Sequence, residues 1–258
     1  MNDIKIMFFD IDGTIIDMQK KQISEKMLYT LRRLQENGIL ICMATGRPPM
    51  ILPRFEGLEF DAYCTFNGSY CYAGDTEIFS NPIPGGDVKK IIANAAHIGR
   101  PVSLATRSRQ AANGRDEDLI EYFAVVNLAV DVPSDFDVVA QDDVYQIMSG
   151  GRKEEYADLL RDVSGAQIAA WWHRAVDIIP AGGGKGRGIE KILEYFGLDR
   201  SQAMAFGDGN NDIEMFLAVD HPIAMGNASD TLKALASDVC GHVAKDGIYH
   251  YCVEHGFI

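Results

Sequence analysis

The sequence predicts an α/β fold in which a mainly parallel sheet carries an inserted, smaller α/β unit. Two observations support this prediction. The apolar runs 4–9 and 39–44 lack polar alternation, as parallel strands covered on both faces do, and a helical segment separates them. Segments rich in proline and glycine, 81–86 and 180–184, delimit a middle block with its own helices and strands. We therefore predict a core at 1–81 and 181–258, with an inserted domain at 82–180.

The first part of the core is predicted to begin with strand 4–9. Ser24 can cap a helix that runs to about Asn37, and Gly38 can end it. The apolar run 39–44 predicts a second strand and 61–66 a third. A hairpin of strands 70–72 and 77–79 follows, because polar and glycine residues separate two short apolar segments.

The inserted block is predicted to alternate helices and strands. The predicted elements are helix 87–98, strand 101–106, a helix from about residue 118, strand 144–148, helix 153–163, and strands 167–172 and 175–179. In the second part of the core, helix 186–196 stops at Gly197 and strand 203–206 runs into a polar loop. A helix to residue 218 and strand 222–225 follow, and Ser229 can cap a further helix.

Composition narrows the classes of function. The chain has 258 residues, 47% of them hydrophobic, which is enough for a substantial core. A formal net charge of -13 disfavours a nucleic-acid partner, because phosphate backbones bind basic faces. No apolar run is long enough to span a membrane and no secretory leader is recognisable, so we predict a cytoplasmic protein without a membrane partner.

The cysteines and histidines indicate neither disulfides nor zinc. The five cysteines are odd in number, form no C-x-x-C pair and mostly lie among apolar neighbours, which predicts buried free thiols. The six histidines show no H-E-x-x-H spacing and no cluster with cysteine, so a zinc site is not expected.

The first polar feature is the pair Asp10 and Asp12 at the end of the first predicted strand. Residues two apart in extended chain point to the same side, so both carboxylates can face one small volume at the carboxyl end of a strand. Two close carboxylates are stable when a cation lies between them or one is protonated, and oxygen ligands suit Mg²⁺. The alternative is a strand that simply ends in an acidic turn.

Three further polar features follow later strands or open a helix. Thr45 and Gly46 offer a hydroxyl and backbone N–H groups, which suit a phosphate oxygen, although a Thr-Gly turn is often structural. Lys185 lies among glycines at the start of a helix, where a cation can approach an anion. The loop from Asp208 to Asp212 could bind a hard cation, although Ile213 excludes an EF-hand because that position requires glycine.

The ordered motifs resemble the haloacid dehalogenase superfamily. They are D-x-D-G-T at 10–14, T-G-R at 45–47, an isolated lysine at 185 and G-D-G-N-N-D at 207–212. The Asn67-Gly68 dipeptide and a large insert between the second and third motifs are more narrowly similar to the Cof-type sugar-phosphate phosphatases. This resemblance spans the whole chain. It implies a Rossmann-like core with a parallel sheet and an α/β cap domain.

The resemblance also implies roles for the acids. Asp10 would be the nucleophile that forms an aspartyl-phosphate, and Asp12 the general acid and base. Mg²⁺ would be held by Asp10, the backbone carbonyl of Asp12, and Asp208.

Residues that bind the phosphoryl group are implied in the same way. Thr45, Gly46, Lys185 and Asn211 would hold its oxygens in the transition state, and Asp212 would orient Lys185 or a metal-bound water.

For the leaving group, the cap segment around Trp171 and His173 combines aromatic and basic side chains that suit a sugar. Packing in the cap is an equal alternative for the aromatic pair. Arg47 could bind substrate or pair with an acid of the core.

We therefore predict a Mg²⁺-dependent phosphomonoesterase that acts on a small phosphorylated metabolite, with hexose phosphates favoured. A phosphotransferase or phosphomutase is the closest alternative, and a non-catalytic sensor of phosphorylated ligands is the alternative from another class. Asp12 favours turnover over a phospho-aspartate signalling domain, because a general acid and base two residues from the nucleophile shortens the life of a phosphorylated aspartate.

Overall fold

The computed structural model describes residues 3–125, 128–170 and 172–258. The chain divides into two compact units. The first unit contains Met1–Gly46, Pro53–Ser80 and Gly184–Ile258, and the second contains Arg47–Leu52 and Asn81–Gly183.

Both units are built from strands and helices. Up to residue 80 they are β1 (Ile6–Phe9), β2 (Ile16–Asp17), β3 (Gln22–Ile23), α1 (Glu25–Glu36), β4 (Leu40–Ala44), β5 (Ala62–Thr65), β6 (Tyr70–Ala73) and β7 (Thr76–Ser80). The second unit then has α2 (Gly85–His97), β8 (Val102–Ala105), β9 (Gln110–Ala112), α3 (Glu117–Val125), α4 (Phe136–Val139), β10 (Gln146–Gly150), α5 (Tyr156–Leu159), β11 (Ala166–Ala169) and β12 (Ala175–Pro180). The first unit continues with α6 (Lys185–Phe196), β13 (Ala203–Gly207), α7 (Ile213–Leu217), β14 (His221–Ala224), α8 (Asp230–Leu235), β15 (Asp238–Val239) and α9 (Gly247–Glu254).

The first unit is built on a sheet of order β15-β14-β13-β1-β4-β5-β6-β7. Strands β15 to β5 in that order pair in parallel, and β6 and β7 add an antiparallel hairpin at the edge. All four residues of β1 are fully buried, as expected for a strand covered on both faces. The aromatic rings of Phe9 and Phe206 stack with centroids 5.3 Å apart and join β1 to β13. The predicted α/β class with a mainly parallel sheet is confirmed.

The helix boundaries follow the capping residues that the sequence predicts. The Ser24 hydroxyl accepts a hydrogen bond from Met27 N at 3.0 Å, and the Ser229 hydroxyl one from Leu232 N at 3.3 Å. Gly197 ends α6 in the left-handed conformation, with φ 66°. On α1, Leu31 and Leu34 are fully buried, so this face of the helix packs against the core.

The second unit has its own sheet and core. Its antiparallel strands have the order β11-β12-β10-β8-β9. The buried side chains of its core come from both the sheet and the helices: Ile83, Val88, Ile91, Ala95, Val102, Leu104, Ala111, Phe136, Val139, Val144, Ile147, Leu159, Ala166, Val176 and Ile178. Such a core of its own is what a separate α/β unit requires.

Some predicted bounds were wrong. The predicted helix 153–163 is a 3₁₀ turn followed by α5, which ends at Leu159. Asp162 adopts φ 58°, and a left-handed residue cannot continue a right-handed helix. The pattern gave no prediction of the short elements β2, β3, β9, α4 and β15, or of α9.

All five cysteines are free and buried. None of the described helices is long and apolar enough to cross a membrane.

Candidate active site

The sheet of the first unit brings three polar strand ends to one edge. Phe9, the last residue of β1, pairs with Met43 on one side and with Phe206 on the other. Asp10 therefore emerges between the segments that follow β4 and β13. Those segments carry Thr45 and Asp208, at the edge where open α/β sheets bind ligands.

Lys185, the first residue of α6, connects two of the acids. Its ammonium is fully buried and donates to Asp10 Oδ1 at 2.5 Å and to Asp212 Oδ1 at 2.6 Å. Burial alone would lower the pKa of Lys185, but the charges of Asp10 and Asp212 outweigh it and raise that pKa above its ordinary value. The side chain is therefore a fixed positive charge beside Asp10.

Asp212 holds the loop that carries Asp208. Its second oxygen, Oδ2, accepts hydrogen bonds from the backbone N–H groups of Asp208 and Gly209, each at 3.0 Å. Both oxygens of Asp212 are thus engaged, one by Lys185 and one by the loop backbone. This geometry suits a positioning residue.

The Asp208 carboxylate is supported from the D-x-D-G-T segment. Thr14 Oγ1 donates to Asp208 Oδ1 at 3.1 Å. Gly13 has φ 91°, and a Cβ there would lie 2.3 Å from Asp208 Oδ2, so only glycine allows this approach. Asn227 Nδ2 donates to the carbonyl of Gly13 at 2.8 Å and lies 3.4 Å from Asp208 Oδ2.

Asp10, Asp208 and Asp212 form an acidic cluster. One carboxylate oxygen of each lies within 4.8 Å of the other two. Burial, followed by the charge of Asp212, raises the pKa of Asp208 to about 6. Burial also raises the pKa of Asp10 well above its ordinary value, and Asp212 and Asp208 add to this against the lowering effect of Lys185.

Within this cluster Asp10 and Asp208 fit a hard divalent cation, because both oxygens of Asp212 are already engaged. Three buried or half-buried carboxylates face a single ammonium, so the cluster has an excess of negative charge that a further cation or a bound proton offsets. Lys185 occupies Oδ1 of Asp10, whereas Oδ2 accepts no hydrogen bond from the described residues. Carboxylate oxygens are the ligands that Mg²⁺ takes in proteins. Asp12, also predicted to contribute, is half-buried.

The predicted phosphate-binding residues differ in burial. Thr45 is buried, and its carbonyl accepts a hydrogen bond from Asn67 N at 3.0 Å. A Cβ at Gly46 would lie 3.1 Å from the Asn67 amide, so the Thr45 turn and the Asn67 loop pack closely. Asn211 is exposed, beside Gly209.

Thr14, Gly68 and Asn227 were given no separate role from the sequence. Thr14 and Asn227 bind the Asp208 carboxylate or its surroundings, and a Cβ at Gly68 would lie 2.0 Å from the carbonyl of Gly184. The position of Asn227 after β14 is the signal that could have found it, because the other site residues also follow strand ends.

The three residues predicted to contact the leaving group lie outside the first unit or outside the described residues. Trp171 is not among the described residues. His173 is exposed in the second unit. Arg47 also belongs to the second unit, where its guanidinium donates to the carbonyl of Ile51 at 3.3 Å.

A charge network holds the backbone next to His173. Arg174 Nε donates to Asp118 Oδ1 at 2.8 Å, and its guanidinium carbon lies 5.2 Å from the centre of the Trp172 ring. Arg152 binds both the Asp118 carboxylate and the carbonyl of Arg174, at 2.7 and 2.9 Å. The neighbours of His173 are therefore anchored on a buried carboxylate.

Comparison with known proteins gives one consistent family. The family model of the haloacid dehalogenase-like hydrolases matches residues 7–252. YkrA of Bacillus subtilis (strain 168) is 31% identical over 266 residues, 99% of each chain. The 5-amino-6-(5-phospho-D-ribitylamino)uracil phosphatase YitU of the same organism is 28% identical over 264 residues, 97% of each chain.

A solved structure extends the agreement to the whole fold. A sugar phosphatase of subclass IIB of the same superfamily superposes with a TM-score of 0.88 at 29% identity, over 98% of this chain and 100% of its own. The family match spans segments of both units. The chain belongs to the haloacid dehalogenase-like hydrolases and is a phosphatase of that family.

Proposed function

We propose that this protein is a Mg²⁺-dependent phosphatase of small phosphorylated metabolites, with hexose phosphates as the favoured class. The observation that carries the proposal is the buried contact between Lys185 and Asp10 inside the acidic cluster. A carboxylate with one oxygen held by a cation and the other without a hydrogen bond from the described residues is suited to nucleophilic attack.

Asp10 attacks phosphorus in line and forms an aspartyl-phosphate, while the bond to the leaving alkoxide breaks. Asp12 gives a proton to that alkoxide and then takes one from the water that hydrolyses the intermediate. The return of the proton makes Asp12 ready for the next turnover. Phosphomonoester hydrolysis is among the slowest uncatalysed reactions and needs acceleration of up to ~10²¹-fold, so the acids require electrostatic help.

That help comes from cations and from donors fixed around the phosphoryl group. Asp10, the backbone carbonyl of Asp12 and Asp208 would hold Mg²⁺, whose charge would offset the repulsion between these acids and a phosphate dianion. Lys185, oriented by Asp212, adds a fixed positive charge. Thr45, the Gly46 amide and Asn211 bind the equatorial oxygens, where charge is spread in the transition state.

The predicted inserted domain, 82–180, acts in this proposal as a cap that selects the leaving group and excludes water. Trp171, His173 and Arg47 are the residues proposed to contact the leaving group. The similarity to a sugar phosphatase favours a sugar, and the relative YitU, named for a ribityl phosphate substrate, favours a polyhydroxylated leaving group as well. Basic side chains can donate hydrogen bonds to the hydroxyl groups of either kind of leaving group.

A cytoplasmic location and the lack of a nucleic-acid partner stay part of the proposal. The net charge of -13 supports the lack of a nucleic-acid partner.

A phosphate-release screen tests the proposed function. The protein is incubated with hexose, pentose and ribityl phosphates and with pyridoxal phosphate, in Mg²⁺ or in EDTA, and inorganic phosphate is measured. We expect release in Mg²⁺ without an added acceptor, with sugar phosphates the best substrates, and loss of release in EDTA. Release that needs an added sugar acceptor would indicate a phosphotransferase instead, and binding without release would indicate a sensor. Undiminished release in EDTA would contradict the metal dependence.

A further inference from the structure

The proposed reaction gives no role to the Asn67-Gly68 dipeptide, although this dipeptide lies at the same edge of the sheet as the catalytic acids. It follows β5, which pairs in parallel with β4, and β4 is followed by Thr45. The Asn67 N–H donates to the Thr45 carbonyl at 3.0 Å. Gly68 packs on the carbonyl of Gly184, the residue before Lys185. Asn67 is therefore held between two segments of the candidate active site.

The backbone of this segment has an unusual conformation. Phe66 and Asn67 both have φ 51°, and Gly68 has φ 89°. Positive φ is uncommon outside glycine; asparagine adopts it more readily than most residues, and a bulky residue such as phenylalanine does so only under strain. Strained backbone of this kind is concentrated at functional sites. The fold therefore fixes the direction of residue 67 at an energetic cost.

The side-chain amide of Asn67 has no hydrogen-bond partner among the described residues. Asn67 is 7% exposed, and neither its Nδ2 nor its Oδ1 forms a hydrogen bond with them. Among the described residues, the unpartnered side-chain atoms that are fully enclosed belong to Asp17, Ser69 and Gln146. The Asn67 amide is not one of these, so both of its polar atoms remain open to a ligand. A nearly buried amide of this kind gains from a ligand that completes its hydrogen bonds.

This amide borders the turn that is proposed to bind the phosphoryl group. A Cβ at Gly46 would lie 3.1 Å from both Nδ2 and Oδ1 of Asn67, so the absence of a side chain at residue 46 leaves space next to the amide. The backbone amide of Gly46 is one of the groups proposed to bind a phosphoryl oxygen. A ligand group bound by Asn67 is therefore close to the phosphoester.

The chemistry of an amide limits what that ligand group is. Nδ2 only donates hydrogen bonds and Oδ1 only accepts them. Phosphoryl oxygens only accept, so they would satisfy Nδ2 and leave Oδ1 next to negative charge. Neighbouring hydroxyl groups satisfy both atoms, because each hydroxyl can donate to Oδ1 or accept from Nδ2.

We propose that Asn67 is a specificity-determining residue whose amide binds two neighbouring hydroxyl groups of the leaving group, next to the carbon that carries the phosphoryl group. This inference rests on the proposed function, because it assigns the substrate class of the same site: phosphate esters of polyhydroxylated alcohols, not of plain alkyl alcohols. A site that hydrogen-bonds hydroxyls discriminates against a substrate without them, because its polar groups are then left unpaired.

Two phosphate esters with the same carbon chain test this proposal, ribitol 5-phosphate and n-pentyl phosphate. The quantity measured is the selectivity ratio, which is kcat/KM for ribitol 5-phosphate divided by kcat/KM for n-pentyl phosphate, from phosphate release in saturating Mg²⁺. We expect this ratio to fall at least about tenfold in Asn67→Gly, because glycine adopts the left-handed backbone without strain but has no amide. A disturbed nucleophile or metal site lowers kcat/KM for both esters and leaves the ratio unchanged.

Asp162→Gly is the matched control. It makes the same kind of replacement at another left-handed residue, φ 58°, which is exposed in the second unit. Its selectivity ratio should stay within about twofold of that of the unchanged protein.

An unchanged selectivity ratio in a folded Asn67→Gly would overturn the proposal. Should that variant fail to fold, Asn67→Asp replaces it, since aspartate also tolerates positive φ but lacks the donor, and an unchanged ratio there has the same meaning.

Failure of the proposed function gives a different result, because the unchanged protein then releases phosphate from neither ester. Isothermal titration calorimetry of the two esters decides in that case. A loss of at least about tenfold in affinity for ribitol 5-phosphate in Asn67→Gly would support the proposal, and equal affinities of the unchanged protein for the two esters would overturn it.

Discussion

At the scale of single residues, the Lys185 ammonium is closely constrained within the first unit. It is fully buried and is held by two carboxylates at 2.5 and 2.6 Å. A buried ion pair gains little over apolar packing, but removal of one partner leaves an uncompensated charge in a medium that solvates it poorly. The lysine is therefore important for stability as well as for the proposed chemistry.

Substitution of Lys185 should lower the stability of the protein. We expect Lys185→Met to lower the free energy of unfolding by about 3 kcal/mol without added metal, because Asp10 and Asp212 lose their cation. Urea unfolding followed by circular dichroism measures this change, and phosphate release measures the accompanying loss of activity.

Lys191→Met is the matched control on the same helix. Lys191 pairs with Glu194, whose side chain is 64% exposed, so this variant should lose less than about 1 kcal/mol. Equal losses of unfolding free energy in the two variants would mean that the buried Lys185 stabilises the protein no more than a lysine in a surface ion pair does.

Residue positions at strand ends could be predicted from the sequence, whereas their supporting contacts could not. Asp10 and Asp208 follow strands β1 and β13, and apolar runs followed by polar residues indicate such places. The bond from Thr14 to Asp208 joins residues 194 positions apart. Local patterns carry no information about an approach over that distance.

At the scale of elements, two glycine loops fix the start of α6. A Cβ at Gly68 would lie 2.0 Å from the carbonyl oxygen of Gly184 and 3.1 Å from Lys185 Cα. The segment after β5 therefore packs directly on the residues that position Lys185. A side chain at residue 68 would push them apart.

Gly68→Ala should disturb both stability and activity. Gly68 and Gly74 have positive φ, 89° and 53°, so alanine is strained at either position, but only at Gly68 does it also meet backbone atoms. We expect Gly68→Ala to lose at least about 2 kcal/mol more than Gly74→Ala and to reduce kcat, as measured by urea unfolding and phosphate release. Identical behaviour of the two variants would show that the contact with Gly184 is unimportant.

Long, regular elements could be predicted from the sequence, but short ones could not. The apolar face of α1 and its Ser24 cap are local signals, and such signals are sufficient to predict a helix. Strands β2 and β15 have two residues each, too few to show a period. In α9, helix formation depends on packing of Ile248 and Cys252 against the core, and its N-terminus has no side-chain cap.

At the scale of the whole molecule, acid should weaken the second unit through Asp118. Hydrogen bonds from Arg152, aided by Arg174 and Arg100, hold the pKa of Asp118 at about 2 despite its burial. Since this folded-state pKa is below the unfolded value, the stabilisation is complete above about pH 4 and is lost as the pH falls towards 2.

Comparison of Asp118→Asn with the unchanged protein isolates this contribution. The difference in free energy of unfolding between the two should shrink by about 2 kcal/mol from pH 6 to pH 2, as measured by urea unfolding. Asp75→Asn in the exposed turn between β6 and β7 serves as the control and should change stability by less than about 0.5 kcal/mol at either pH. A difference that does not depend on pH would contradict the role of Asp118.

The central claim is that the Asp10 carboxylate attacks phosphorus, and the turnover of Asp10→Asn tests it most directly. Asparagine keeps the size and one oxygen of aspartate but is a far poorer nucleophile. With the best sugar phosphate in saturating Mg²⁺, we expect kcat to fall by at least about 10⁴-fold while the substrate still binds, as measured by single-turnover phosphate release and equilibrium binding. A kcat within about tenfold of the unchanged protein would contradict the account.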